Sequence, residues 1–324
     1  MALFDLSLDQ LREYRSAAAE PADFDAFWAG TVAEARELAA APVFADVDTG
    51  LRGIRTSDVT FSGFGGQPIR GWLNRPVAAG DGPLPVVVEF IGYGGGRGGP
   101  HDWLLWASAG YAHLVMDTRG QGGSWQRGDT PDPDGSGPQA PGFLTRGVLD
   151  PHTYYYRRLI TDAVRAVDTA LALPDAGPVV VTGMSQGGGL ALAAAGLCPG
   201  NVAAAVAGVP FLCDIRRAVT ITDSDPYAEF ARFCRLDPSR APAALATVDY
   251  IDAVNFSRRN TAPTLVSTGL MDFTCPPSTV FAAYNEIVGR KEIEVYEWEG
   301  HEGGRSHWKQ RAVDFVAAAL GFPG

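Results

Sequence analysis

Six short apolar-rich runs, at residues 85–91, 112–117, 178–183, 202–207, 263–268 and 293–296, constrain this chain more than any other feature. A strand covered on both faces has no solvent side for polar residues, so it reads as a continuous run rather than an alternation. Helical stretches separate the runs. The clearest predicts Tyr156, Leu159, Ile160, Ala163, Val164, Val167, Ala170 and Leu171 on one face, with Arg157, Arg158, Asp162 and Arg165 opposite. Strands alternating with helices imply an α/β chain with a mostly parallel central sheet and helices on both faces.

The flanking segments complete this outline. Residues 5–40 read as a helical extension in which Asp23 caps a segment carrying Phe24, Phe27, Trp28 and Val32 on one side. Residues 56–76 alternate around Gly63-Phe64-Gly65-Gly66, the pattern of an antiparallel hairpin that makes the sheet mixed. Residues 125–145, rich in Pro, Gly and Asp, form a long loop, a kind that is often functional. Residues 212–258 break the strand–helix rhythm and read as a small cap-like insertion. No repeat or linker divides the chain, so a single domain over residues 1–324 is expected.

Charge narrows the function. The formal net charge of −11 repels phosphate backbones and anionic lipid, which argues against nucleic acid and membrane as partners. The N-terminal residues are acidic where an export signal needs a basic region, and no apolar run approaches the length of a bilayer span; a cytoplasmic protein is expected. Cys198, Cys213, Cys234 and Cys275 are scattered without CxxC spacing, the pattern of free thiols in a reducing compartment. Five histidines without an HxH or HExxH cluster imply neither metal nor cofactor.

The chemistry resides in Gly183-Met184-Ser185-Gln186-Gly187, between the third run and a small-residue helix over 188–197. In a chain with 39 glycines the pentapeptide alone says little. Between a buried strand and a helix it is a nucleophile elbow, a turn too sharp for flanking Cβ atoms that lifts the serine hydroxyl above the strand ends. It also sets the Gln186 N–H at a helix N-terminus, where positive partial charge meets an oxyanion. A serine nucleophile needs a base, and the base an orienting carboxylate, in the chain order Ser, Asp or Glu, His. Downstream of Ser185 stand only His301, in the loop after the sixth run, and His307, which opens the last amphipathic helix and reads as structural. His301 is therefore the candidate base. Asp272, directly after the fifth run, is the candidate acid, also readable as a turn or N-cap residue; Asp249 and Asp252 lie in the cap-like segment. A second oxyanion donor belongs in the loop after the first run, Gly92-Tyr93-Gly94-Gly95-Gly96, with the Tyr93 N–H as candidate. Pro210 and Phe211, after the fourth run, are candidate walls of a tight acyl pocket.

These motifs resemble one family, the acetyl xylan esterase and cephalosporin C deacetylase group, carbohydrate esterase family 7 of the α/β-hydrolase superfamily. The resemblance rests on Arg119-Gly120-Gln121-Gly122, the Ser185 elbow and His301-Glu302, in that order. It extends to Ile91-Gly92-Tyr93, Pro100-His101-Asp102-Trp103, residues 153–158, Pro210-Phe211-Leu212-Cys213 and Gly269-Leu270-Met271-Asp272. It implies an α/β-hydrolase fold, a Ser185–Asp272–His301 triad, Tyr93 and Gln186 backbone N–H groups as oxyanion hole, and a structural role for Arg119 and Gln121. It also implies a homo-oligomer, a hexamer of paired subunits whose sites face an inner cavity, acting on a small acetylated carbohydrate or drug-like ester. Two other readings share the sequence: an acylaminoacyl-peptidase-like hydrolase on the same fold, and a non-catalytic carbohydrate-binding relic. Against the last, the chain retains both nucleophile and base.

Overall fold

The computed structural model describes residues 3–78, 82–134, 139 and 141–322. Among them nine strands form one sheet: β1 (Val43–Val47), β2 (Ile54–Ser62), β3 (Pro68–Pro76), β4 (Leu84–Phe90), β5 (Ala112–Met116), β6 (Ala176–Met184), β7 (Val202–Gly208), β8 (Thr264–Gly269) and β9 (Lys291–Tyr296). Their order is β1-β2-β3-β5-β4-β6-β7-β8-β9, antiparallel from β1 to β5 and parallel from β5 to β9. Each of the six runs lies within a strand or overlaps one, and the hairpin at 56–76 is β2–β3. β1 gives no apolar signal because it is an exposed edge, with Val43 63% and Phe44 40% accessible.

The helices are α1 (Leu8–Glu13), α2 (Phe24–Glu37), α3 (Leu105–Ser108), α4 (Tyr155–Leu171), α5 (Gln186–Leu197), α6 (Ile215–Ile221), α7 (Tyr227–Leu236), α8 (Ala241–Val248), α9 (Ala253–Ser257), α10 (Pro277–Glu286) and α11 (Arg305–Leu320). Period-2 alternation divides the strand side chains between two cores. Val86, Val88, Val179, Val181, Ala205 and Val266 face the layer containing α2, α4, α5, α9 and α10. Val87, Val180, Ala204, Val206 and Leu265 face Trp106 of α3 and Trp308, Ala312, Phe315 and Val316 of α11. Both faces are covered, as the continuous runs require. No helix among the described residues is long and apolar enough to cross a membrane.

Two expectations need correction. Residues 5–40 are two helices rather than one stretch, because Pro21 cannot sit in a helix interior and tertiary contacts pull the intervening segment straight. There the Tyr14 and Ser16 hydroxyls donate to Asp214, both at 2.8 Å. In α4, Arg158 and Asp162 are buried rather than solvent-facing, since their charges are met by partners from a distant loop. The 125–145 loop is only partly described, with 135–138 and 140 outside the described residues.

The parallel strands all point their C-terminal ends the same way, and β4 lies between β5 and β6, where successive crossovers diverge. In open α/β sheets ligands bind outside such a switch point. The loops after β4, β6, β7, β8 and β9 carry Tyr93, Ser185, Val209, Asp272 and His301 respectively, so the sheet delivers every candidate residue to one edge.

Candidate active site

β6 runs straight into Ser185, whose backbone (φ 56°, ψ −119°) is in a region that L-residues avoid at a cost of ~1–3 kcal/mol. Three backbone bonds hold it there. Ser185 N–H donates to Gly208 O at 2.9 Å, while Phe211 N–H and Gly189 N–H donate to Ser185 O at 2.9 and 3.0 Å. The flanking glycines have a steric cause: a Cβ at Gly183 would strike the Gly187 carbonyl, and one at Gly187 would strike the Phe90 carbonyl. Ser185 opens into a cavity of about 360 Å³, lined also by Tyr93, Trp125, Met184, Val209, Pro226 and His301.

His301 enters this cavity from the turn between β9 and α11. Its Nδ1 lies 2.8 Å from Asp272 Oδ2, and while the imidazole is about one-third exposed, the carboxylate is fully buried. Asp272 Oδ1 accepts Thr274 N–H at 2.8 Å and Cys275 N–H at 2.9 Å, so the turn after β8 fixes the carboxylate and its free oxygen points at one ring nitrogen. Asp272 is thus a turn residue and the histidine's partner at once. A proton on Nδ1 leaves Nε2 as an acceptor. The Cys275 thiol, pushed up first by burial and then by Asp272, is also within reach of the Ser185 hydroxyl.

Opposite Ser185 runs the loop after β4. Among the described residues, neither the Tyr93 nor the Gln186 backbone N–H has a hydrogen-bond acceptor. A web of side chains holds the two donors in register. Gln121 accepts Gly94 N–H at 2.6 Å and donates to Gln186 Oε1 and to Tyr155 Oη, both at 2.9 Å. Gln186 in turn donates to Ile91 O at 3.1 Å. The Tyr93 phenol donates to Glu229 Oε1 at 2.6 Å and accepts Phe143 N–H at 2.5 Å, and Glu229 Oε2 accepts Leu144 N–H at 3.0 Å. Burial pushes the Glu229 carboxyl up, opposed by those two hydrogen bonds. Burial first, and Glu229 next, push the Tyr93 phenol up as well.

Arg119 is fully buried beneath this web. It donates to Asp162 through Nε (2.5 Å) and Nη2 (2.7 Å) and to Gln67 Oε1 at 2.6 Å, while Asp132, 3.4 Å away, also pairs with Arg158 at 2.7 Å. Bidentate guanidinium–carboxylate pairing of this kind fixes geometry. It anchors the segment carrying Gln121 to α4 and to the β2–β3 turn.

The structure moves the expected acyl wall. Neither Pro210 nor Phe211 lines the cavity. Phe211 is fully buried, its ring centroid 4.6 Å from Tyr227 and 6.4 Å from Tyr156, and only its backbone serves the elbow. Val209, at φ 36°, stands at the cavity in its place. His307 is exposed on α11. Asp249 is committed to Arg216, with both bonds at 2.7 Å, and Asp252 accepts Asp214, Ile215 and Val254 N–H groups. Sequence reasoning missed Glu229 and the role of Trp125. Glu229 carries no local signal. Trp125, a large ring at the head of a Gly- and Pro-rich loop, does. Among the described residues no group of His, Cys, Asp or Glu is arranged to hold a metal ion.

Comparison with known proteins places relatives beside this geometry. The family model "Acetyl xylan esterase (AXE1)" matches residues 1–319. The acetyl esterase Axe7A of Xylanibacter ruminicola is 31% identical over 282 residues, a match covering 84% of this chain and 61% of that protein. The chain thus spans less than two thirds of that curated relative. Among solved structures, an acetyl xylan esterase from Paenibacillus sp. R4 is 39% identical with a TM-score of 0.89, over 96% of this chain and 99% of that one. Acetyl xylan esterase 1 from Thermoanaerobacterium sp. JW/SL YS485 is 33% identical with a TM-score of 0.90, over 98% and 99% of the two chains.

Proposed function

Because the chain belongs to the acetyl xylan esterase (AXE1) family and has the α/β-hydrolase fold, we propose that it is a serine esterase removing acetyl groups from acetylated xylo-oligosaccharides and related small acetate esters, cephalosporin C among them. The observation that carries this reading is the buried Asp272 carboxylate at 2.8 Å from His301 Nδ1, at one cavity with a serine on a strained elbow.

The chemistry follows from the geometry. Asp272 keeps the Nδ1 proton in place and stabilises the imidazolium, so Nε2 takes the Ser185 proton as the hydroxyl attacks the acetyl carbonyl. Negative charge gathers on the carbonyl oxygen, where the unengaged Tyr93 and Gln186 N–H groups and the N-terminus of α5 meet it. His301 returns the proton to the leaving alcohol. Water then adds to the acyl-serine with His301 as base, releasing acetate and restoring Ser185. Arg119 and Gln121 act by position, holding the oxyanion loop against α5. Assembly into a hexamer belongs to the same reading, and light scattering giving a fully active monomer would remove it.

The direct test is acetate release from acetylated xylo-oligosaccharides by the wild-type chain and by Ser185→Ala. Release by the wild type alone supports the proposal. No release, or equal release by both, overturns it.

A further inference from the structure

A second cavity, of about 540 Å³, adjoins the first and shares Gly92, Trp125 and Met184 with it. Its volume is within the roughly 300–1,000 Å³ of small-molecule sites. Its other walls are Glu89, Phe90, Ile91, Asp102, Trp103 and Gln126, and none of these side chains takes part in the acyl chemistry above.

The lining is of two kinds. Trp103 and Trp125 offer large apolar rings whose polar ends are already occupied: Trp103 Nε1 donates to Arg97 O at 2.6 Å and Trp125 Nε1 to Tyr93 O at 2.8 Å. Each indole is thereby pinned by its edge. Asp102 and Gln126 are joined to each other. Asp102 Oδ2 accepts Gln126 Nε2 and Gly99 N–H, both at 2.8 Å, which holds the carboxylate in one orientation while Oδ1 remains an acceptor. Glu89 Oε2 stands 2.8 Å from His113 Nε2, off the line of a good hydrogen bond.

Four ligand classes can be weighed against this wall. An acyl chain would set methylenes beside carboxylates, which costs the desolvation of those groups without return. An anion would be repelled by Glu89, Asp102 and the net charge of −11. A cation would find the Asp102 carboxylate already satisfied in part by the Gln126 and Gly99 donors. A neutral polyhydroxylated ring matches: its C–H face lies on an indole, and its equatorial hydroxyls reach fixed carboxylate and amide acceptors.

We propose that this second cavity is the subsite for the alcohol half of the ester, a pyranose unit bound between Trp103 and Trp125 and hydrogen-bonded by Asp102 and Gln126. The assignment rests on the esterase reading and deepens it. Trp125 then separates the acetyl group, held in the first cavity, from the sugar that leaves. Specificity for acetylated sugars resides in Asp102, Trp103 and Gln126, apart from the residues that break the bond.

The test compares two substrates with one acyl group and different alcohols: ethyl acetate, whose alcohol is too small to fill the cavity, and fully acetylated xylobiose. Trp103→Ala and Asp102→Asn should each lower kcat/KM for acetylated xylobiose by about tenfold, through KM, and leave ethyl acetate within about twofold. Free xylobiose should inhibit ethyl acetate hydrolysis by the wild type, with an inhibition constant that rises in parallel in both variants. Gln126→Ala, which touches no core contact, repeats the comparison should Trp103→Ala fail to fold. Equal losses on both substrates, no loss on either, or a wild-type preference for acetylthiocholine over acetylated xylobiose would overturn the subsite. A wild type inert toward both substrates would instead overturn the esterase reading.

Discussion

The Tyr93 phenol and the Glu229 carboxylate stand 2.6 Å apart, and through that contact α7 grips the loop after β4. The same carboxylate holds Leu144 N–H, so three segments distant in sequence meet at one buried acid. Tyr93→Phe keeps the backbone N–H and deletes the grip, together with the acceptor of the Phe143 N–H. It leaves Glu229 with one donor, a loss of about 1–3 kcal/mol in stability. Outright removal of an oxyanion donor costs ~10²–10³ in kcat, and a displaced one should cost less, about tenfold, with KM little changed. Steady-state kinetics with p-nitrophenyl acetate and a melting curve check both numbers.

Ser185→Ala should lower turnover by ~10⁴- to 10⁶-fold while leaving the fold intact. An organophosphonate should add its mass to Ser185 in the wild type and to nothing in the variant. Labelling elsewhere, with activity surviving, would end the assignment.

Asp272→Asn should cost ~10⁴ in kcat. An amide in that pocket cannot accept Thr274 and Cys275 N–H groups and also accept from His301 Nδ1, so the imidazole loses its tautomer or its orientation. A loss under about tenfold, measured on the folded variant, would mean that another group orients His301.

Acyl length should be limited by Val209, Met184 and Pro226 rather than by Phe211. A methylene that clashes with a packed wall costs ~1–3 kcal/mol, so kcat/KM should fall by at least about tenfold from acetate to butyrate, and octanoate should be nearly inert. Val209→Ala should raise the butyrate-to-acetate ratio several-fold, whereas Phe211→Leu should not. p-Nitrophenyl esters of two to eight carbons give the series, and a rate rising with length would mean an open groove.

Burial, and next Asp214, push the Asp252 carboxyl from its ordinary value of 3.8 up to about 7, against three backbone hydrogen bonds. The folded chain therefore binds this proton more tightly than the unfolded one. The stability it contributes is full below pH 3.8 and is lost as pH rises through about 7. Asp252→Asn cannot titrate. Whatever its fixed cost, its melting temperature relative to wild type should rise between about pH 5 and pH 8, by an amount worth up to ~2–3 kcal/mol. A difference flat with pH would show that Asp252 stays ionised throughout.

The parts legible in the sequence were those whose cause is local. A strand buried on both faces must be apolar along its length, so residues 85–91 and 178–183 announced β4 and β6. The elbow was legible because a Cβ at Gly183 would collide with Gly187, within a few residues of Ser185, whereas the need for glycine at 187 comes from Phe90 on the neighbouring strand. What escaped has its cause elsewhere in the chain. Arg158 and Asp162 look like a solvent face until Asp132 and Arg119 arrive to neutralise them. Phe211 is near Ser185 in space, yet its ring turns toward Tyr227 and Tyr156, a choice made by the packing of α7 and α4. β1 is an edge with little to bury, so periodicity had nothing to report.

Trp125 rests on the loop after β4 so closely that a Cβ at Gly95 would lie inside its indole, and one at Gly94 would meet Ser124. These positions therefore cannot drift separately. In any descendant of this chain a side chain at 95 requires a smaller residue at 125, and losing that ring removes the wall between the two cavities. The inheritance of the loop and the choice of alcohol are in this way one trait, selected together or lost together.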